Sequence, residues 1–83
     1  MTNDEATALL AAALHEVAPE VDLGTVDPDL PLQEAAGMDS MDFLNLVAAI
    51  HDRTGNEIPF RDYPRLSTLK LFVSYLMSTP GPA

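Results

Sequence analysis

Cysteine is absent from this chain of 83 residues. Without a thiol, neither a disulfide nor a thiolate-bound metal can support the fold, so stability must come from packing. The apolar fraction of 47% is compatible with that requirement. Any thiol chemistry in which this protein takes part has to use a thiol that is brought in from outside.

Basic residues are scarce: 4 lysines and arginines stand against 13 aspartates and glutamates, and the formal net charge is −9. Such a surface repels phosphate backbones, which argues against nucleic-acid binding, and it also repels anionic lipid. It attracts basic protein surfaces and accelerates encounters with them. The simpler interpretation, in which acidity only keeps the protein soluble, accounts for the charge equally well.

Long apolar runs are absent too, and no segment approaches the roughly 20 apolar residues of a membrane-spanning helix. The stretch MTNDEATALL has acids where a signal peptide carries basic residues, so the expected location is cytoplasmic. The length predicts one small monomeric domain over residues 1–83, with an ordered core of about 3–78 and a tail of 79–83. A domain this small buries only about 60% of the surface of its unfolded chain, which leaves little material for a deep enclosed active site.

The first periodic segment starts near Asn3 and ends before Pro19. Its start is capped either by Thr2, paired with Glu5 in a capping box, or by Asn3. The apolar residues that recur at helical spacing on one face are Ala6, Leu9, Leu10, Ala13, Leu14 and Val17.

An irregular stretch of about twenty residues follows, and its prolines and glycines break any regular pattern. A long loop inside a small domain is often functional. The acids Asp27 and Asp29 are interpreted as turn and surface residues, because no second cluster of oxygen ligands accompanies them to hold a metal. The residues predicted to pin the loop to the core are Val21, Leu23, Leu30 and Leu32.

A second helix is predicted from Ser40 to about Thr54, where Gly55 provides a left-handed stop. The prolines at 59 and 64 bracket a stretch that allows only about one turn of helix.

A last helix follows a cap at Ser67 or Thr68. Its predicted apolar face consists of Leu69, Phe72, Val73 and Leu76. No stretch alternates long enough to predict a strand. The sequence therefore predicts an all-α fold: a small bundle of three main helices plus one short helix, with a long loop between the first and second helices.

The second helix has more apolar surface than a core-facing helix needs. At about 100° per residue, its apolar positions form two adjoining arcs that together span about twice the usual ~100° stripe. The arc expected to face the core consists of Phe43, Leu46, Val47 and Ile50. The second arc consists of Met41, Leu44 and Ala48. The remaining positions of the helix include Asp42, Asn45, Ala49, Asp52 and Arg53. The second arc is a docking patch, a cavity wall, or a surface covered by the preceding loop.

Ser40 lies in the stretch GMDSMDF, at the predicted start of the second helix. On local grounds, either Asp39 or Ser40 caps that helix. A nucleophilic enzyme would need a base, and His51 lies almost three turns away while His15 is expected on the surface of the first helix. The stretch also lacks the Gly-x-Ser-x-Gly pattern of hydrolases, so no catalytic residue is predicted. A helix start does suit an attached anion, because its N–H groups and dipole stabilise negative charge.

The segment GMDSMDFLNLVAAIHDRTGNEIP resembles the phosphopantetheine attachment region of acyl carrier proteins. That family carries Gly-x-Asp-Ser-Leu, or Met for Leu, at the start of its second helix. The similarity extends over nearly the whole chain, through the first helix, the long loop, the Ile58-Pro59 pair and the final helix in STLKLFVSYL.

The resemblance implies that a phosphopantetheinyl transferase attaches 4′-phosphopantetheine from coenzyme A to Ser40. The arm then supplies the thiol that the chain lacks, and acyl groups are carried on it to acyl-loading, condensing or other biosynthetic enzymes with basic docking surfaces. The residues that the resemblance assigns to docking are Asp39, Met41, Asp42, Leu44, Ala48 and Asp52. Family members that sequester acyl chains do so between helices, so the second apolar arc could instead line a cargo cavity.

Several positions depart from carriers of fatty acid synthesis, which have further acids along this helix. Here those places include Asn45 and His51, Arg53 is basic, and the stretch FRDYPRL follows where many relatives are acidic or small. The departures favour a specialised stand-alone carrier of polyketide, modified acyl or aminoacyl units. Two other hypotheses are an unmodified helical adaptor that uses the same face, and a small hydrolase that uses Ser40.

Overall fold

The structure, a computed structural model that describes residues 1–79, has helices joined by loops and no strand within those residues. Its α-helices are α1 (Asn3–Val17), α2 (Leu32–Ala36), α3 (Ser40–Thr54) and α4 (Leu69–Met77), and two 3-10 helices span Leu23–Thr25 and Phe60–Leu66. Helix α1 packs against α3 and α4, and α4 packs against the Phe60–Leu66 helix. The predicted all-α bundle is confirmed, and the predicted second helix is α3.

Helix α1 begins in the predicted capping box. The Thr2 hydroxyl accepts a hydrogen bond from the Glu5 amide at 3.1 Å, and the Glu5 carboxylate accepts one from the Thr2 amide at 2.9 Å. Hydrogen bonding of the Glu5 carboxylate to the Thr2 backbone, followed by that to the Thr2 side chain, lowers the pKa of Glu5. The predicted face is the buried one: Ala6, Leu10, Ala13 and Leu14 are buried, and Leu9 and Val17 pack against them in part.

The loop between α1 and α3 contains more regular structure than the sequence predicted. It includes the Leu23–Thr25 helix and the five-residue helix α2. Of the predicted anchors, Leu32 is buried and Val21 and Leu23 are half-buried, but the prediction for Leu30 is wrong because 44% of that residue is exposed. Two residues not singled out as anchors, Val26 and Met38, are buried instead.

Contacts with the start of α4 hold this loop in place. The Leu32 amide donates to the Ser67 carbonyl at 2.6 Å, and the Lys70 amide donates to the Pro28 carbonyl at 3.1 Å. At the other end of α2, Gly37 adopts φ 66°, a left-handed conformation that glycine reaches without steric cost. These contacts therefore fix the path of the loop up to the start of α3.

Helix α3 has the predicted bounds, and Gly55 stops it with φ 71°. The four residues of its predicted core arc are all buried. The sequence places Ala49 in the remainder of the helix, outside both apolar arcs, and this is wrong: it is only 6% exposed and belongs to the buried core.

The segment after α3 differs from its prediction in length. The Phe60–Leu66 helix includes Pro64, which the sequence analysis treated as a boundary. A proline fits there because its fixed φ of about −65° lies within the range of a 3-10 helix.

Helix α4 starts after Thr68, whose hydroxyl accepts from the Leu71 amide at 3.1 Å, so Thr68 rather than Ser67 is the cap. Phe72 and Leu76 are buried, as predicted, and Tyr75 joins them. Leu69 and Val73 are partly buried. Of the predicted tail, residues 80–83 lie outside the described residues, while the Thr79 amide is hydrogen-bonded to the Leu76 carbonyl at 3.1 Å.

Candidate functional site

Ser40 is the first residue of α3, and Asp39 caps the helix in its place. The Asp39 carboxylate accepts a hydrogen bond from the Asp42 amide at 2.8 Å. Of the two predicted caps, the structure thus selects Asp39, and no hydrogen bond of the Ser40 hydroxyl is found among the described residues. The exposed Ser40 hydroxyl is therefore free for chemistry.

The turn that presents Ser40 is anchored on both sides. Met38, two residues before it, is buried, and the Met38 amide donates to the Gln33 carbonyl at 2.8 Å. Phe43, three residues after it, is buried in the core. These anchors hold the serine at the surface on a fixed piece of backbone.

The surroundings of Ser40 fit an attached phosphodiester. Ser40 and Met41 belong to the first turn of α3, where backbone amides have no acceptor within the helix and point towards an anion at the helix start. Asp39 and Asp42 carry negative charge nearby, but this end of the helix is open to water, which screens repulsion between exposed charges. The residues present therefore fit the group that the sequence implies.

No base or metal accompanies Ser40 in the described part of the chain. His15 and His51 are both exposed, on α1 and far along α3, and neither is hydrogen-bonded to the serine. No group of three potential metal ligands occurs among residues 1–79. Within residues 1–79, the Ser40 hydroxyl therefore has no base hydrogen-bonded to it.

The second apolar arc of α3 is exposed. Met41 is 66% exposed, Leu44 is 44% exposed, and Ala48 is exposed as well. The alternative in which the preceding loop covers this arc is therefore wrong. We call the surface formed by these residues and their acidic neighbours the α3 stripe; it consists of Asp39, Met41, Asp42, Leu44, Ala48 and Asp52.

A groove lies next to Ser40 in the described residues. Its volume is about 720 Å³, and it lies between the starts of α2 and α3 and the Phe60–Leu66 helix. The chain length left little material for a deep enclosed active site, and this groove is instead open and forms between elements rather than inside the core. Its lining residues include Ser40, Phe43, Leu44, Phe60, Arg61 and Tyr63.

Three aromatic rings follow one another along this groove. The rings of Phe43 and Tyr63 meet edge-on, with centroids 6.0 Å apart and planes at 74°. The rings of Tyr63 and Phe60 are tilted at 46°, with centroids 5.1 Å apart. In the sequence, Phe60 and Tyr63 stand out only as departures from relatives. Their spacing of three residues was an available signal, because side chains three apart in a 3-10 helix lie on the same side.

The Phe60–Leu66 helix is fixed to α4 through Tyr75. The Tyr75 hydroxyl donates to the Asp62 carboxylate at 2.9 Å, and the Arg65 guanidinium lies over the Tyr75 ring, 4.8 Å from its centroid. Burial, followed by the hydrogen bond to Asp62, raises the pKa of Tyr75. We call these three residues the Tyr75 clasp. It holds one wall of the groove in position.

None of the helices in residues 1–79 has the length and apolar character to cross a membrane.

Comparisons with known proteins agree with this geometry. A family described as "Phosphopantetheine attachment site" matches residues 7–76. An acyl carrier protein from Streptomyces coelicolor (strain ATCC BAA-471 / A3(2) / M145) is 38% identical over 73 residues, which cover 88% of this chain and 75% of that protein.

The match to the family spans most of the chain and includes the free serine at the start of α3. The chain therefore belongs to the acyl carrier protein family: it is a carrier rather than a catalyst, it bears a 4′-phosphopantetheine group, and it works with a phosphopantetheinyl transferase and biosynthetic enzymes.

Proposed function

We propose that Ser40 is the attachment site and that the protein presents acyl groups to enzymes from this position. One observation carries the proposal: Asp39 caps α3, so the Ser40 hydroxyl is exposed at a helix start without a partner in the described residues. In the attachment step, the Ser40 oxygen forms a bond to phosphorus of coenzyme A, the pyrophosphate bond breaks, and adenosine bisphosphate leaves while the serine loses its proton. The attached group supplies a thiol that holds the cargo as a thioester.

Intact-mass spectrometry tests the attachment site. The protein is incubated with coenzyme A and a phosphopantetheinyl transferase of broad specificity, and one covalent addition is expected. Ser40→Ala is expected to abolish the addition. Ser67→Ala is the matched control, because Ser67 is an exposed serine that lines the same groove. An addition that persists in Ser40→Ala, or none with several transferases, would contradict the proposal.

We also propose that enzymes dock on the α3 stripe. Its exposed apolar centre has a rim of three aspartates, and a net charge of −9 steers basic surfaces towards it. Methionine at the edge of such a centre adapts its shape to different partners. The partners are therefore transferases and biosynthetic enzymes with basic, partly apolar docking surfaces.

The cargo we propose is polyketide, modified acyl or aminoacyl, handled by a specialised carrier. Support for this cargo comes from side chains of α3. Asn45 and His51 are exposed where further acids are common in fatty-acid carriers, and Arg53 pairs with Glu16 of α1 at 3.2 Å. A monomeric state and a cytoplasmic location stay predictions.

A further inference from the structure

The ring at the open end of the aromatic row is the feature that the carrier role leaves unexplained. Phe60 is 80% exposed, the most exposed of the large apolar residues in the described part of the chain. Its contact with Tyr63 leaves most of the ring in water, so the ring contributes little to the core. An exposed aromatic ring on a groove wall is available for contact with a bound group.

The polar groups around the groove restrict the kinds of ligand that the groove favours. Arg61 lines the groove, and no salt bridge or hydrogen bond of its side chain occurs among the described residues. A guanidinium is flat, weakly hydrated and stacks well on aromatic faces. The groove thus combines ring edges, an exposed ring face and a free planar cation beside the attachment serine.

We propose that this groove selects aromatic acyl groups carried on the arm. The inference rests on the proposed attachment at Ser40, which places the arm at the mouth of the groove. An aryl ring can extend the row formed by Phe43, Tyr63 and Phe60 in offset or edge-on contact, and can lie against Arg61. A straight aliphatic chain gains only apolar burial there, because it lacks the ring quadrupole on which these contacts depend. The groove volume of about 720 Å³ lies within the usual range for small-molecule sites.

The test compares two cargoes with the same number of carbon atoms, phenylpropanoyl and nonanoyl, each loaded on the modified protein. In both acyl groups the carbonyl is flanked by a saturated carbon, so the thioesters have similar intrinsic reactivity. The first measurement is the NMR shift of the Phe60 and Tyr63 ring protons on loading. The second is the rate of thioester cleavage by hydroxylamine, divided by the rate for the same acyl-pantetheine free in solution.

Phenylpropanoyl is expected to shift both rings and to be cleaved about threefold to tenfold more slowly than nonanoyl after this correction. Phe60→Leu is expected to reduce the difference, and the double variant Phe60→Leu with Tyr63→Leu to remove it. Leu71→Ala is the control, because Leu71 is an exposed apolar residue of α4 outside the groove.

Equal protection of the two cargoes, stronger protection of nonanoyl, or unshifted rings in both would overturn the inference. Each of these results requires loaded protein and so leaves the attachment at Ser40 intact. Failure of that attachment would instead be seen beforehand, as a missing mass addition. Circular dichroism of each variant is the check that it is folded.

Discussion

Two adjacent residues have different roles at the start of α3. Asp39 satisfies an amide of the first turn, and Ser40 is left with an unengaged hydroxyl. The sequence predicted a cap at one of these two residues but could not decide between them, because aspartate and serine are both good caps. The choice depends on where the chain leaves the left-handed turn at Gly37, which the tertiary contacts of the preceding loop determine.

The division of roles predicts different effects of removing each side chain. Asp39→Ala is expected to lower the free energy of unfolding by about 1 kcal/mol, within a range of about 0.5–2, because it leaves the Asp42 amide without its acceptor. Asp39→Asn retains an acceptor for the Asp42 amide, so it is expected to lower the free energy of unfolding by only a few tenths of the Asp39→Ala effect. Urea unfolding followed by circular dichroism measures both. Ser40→Ala is the control and is expected to change stability little; a cost equal to that of Asp39→Ala would identify Ser40 as the cap.

At the scale of elements, the main helices could be predicted, and of the short ones only the helix that follows Pro59 was expected, with a shorter length than it has. Helices α1 and α3 carry caps, stop signals and apolar periodicity over about four turns, and their bounds follow from these. Helix α2 has five residues, no side-chain cap, and depends on the bond from Leu32 to Ser67. Pro31 before it and Gly37 after it were available signals. The groove depends on how α3 packs against the Phe60–Leu66 helix, and no local sequence pattern predicts that packing.

The Tyr75 clasp predicts a loss of stability at alkaline pH. The folded protein raises the pKa of Tyr75 by burial and by the bond to Asp62, so folding favours the protonated phenol. This contribution is fully present below the unfolded pKa, near 10, and is lost as the pH rises through the folded value. The free energy of unfolding, measured with urea between pH 8 and about 11, is expected to decline at the alkaline end.

Tyr75→Phe is expected to remove this alkaline decline and to lower stability at neutral pH by about 1 kcal/mol, since it deletes one hydrogen bond while keeping the ring. Tyr63→Phe is the matched control, because the Tyr63 hydroxyl has no hydrogen bond within residues 1–79. Hydrogen exchange of the Phe60–Leu66 amides should accelerate only in Tyr75→Phe. Equal behaviour of the two variants would contradict the role of the clasp.

The α3 stripe predicts loss of docking without loss of fold. Met41→Glu and Ala48→Glu place a charge in its exposed apolar centre, and each is expected to lower kcat/KM for the transferase at least about threefold. Helicity should be unchanged, because neither side chain is buried. Ser74→Glu adds the same charge on an exposed position of α4 and is expected to have a smaller effect. Unfolding of either stripe variant would show that the stripe belongs to the core.

At the scale of the whole molecule, the acidity acts on stability and on recognition in opposite directions. A net charge of −9 lies on a domain whose radius of gyration is only 11.3 Å. At low ionic strength the Debye length exceeds this radius, about 30 Å at 0.01 M against about 10 Å at 0.1 M, so the acids repel one another across the molecule. The same field attracts basic partners. Salt therefore weakens both effects together.

Raising the salt concentration from 0.01 to about 0.1 M is thus expected to increase the free energy of unfolding while it lowers kcat/KM for attachment. Two variants that each remove one negative charge separate the local contribution from the global one. Glu20→Gln, outside the stripe, and Asp52→Asn, within it, should relieve self-repulsion to a similar extent, since both residues are exposed. Only Asp52→Asn should flatten the salt dependence of attachment. If Glu20→Gln flattens it equally, partners respond to the overall field, and the acidic rim of the stripe has no special part in docking.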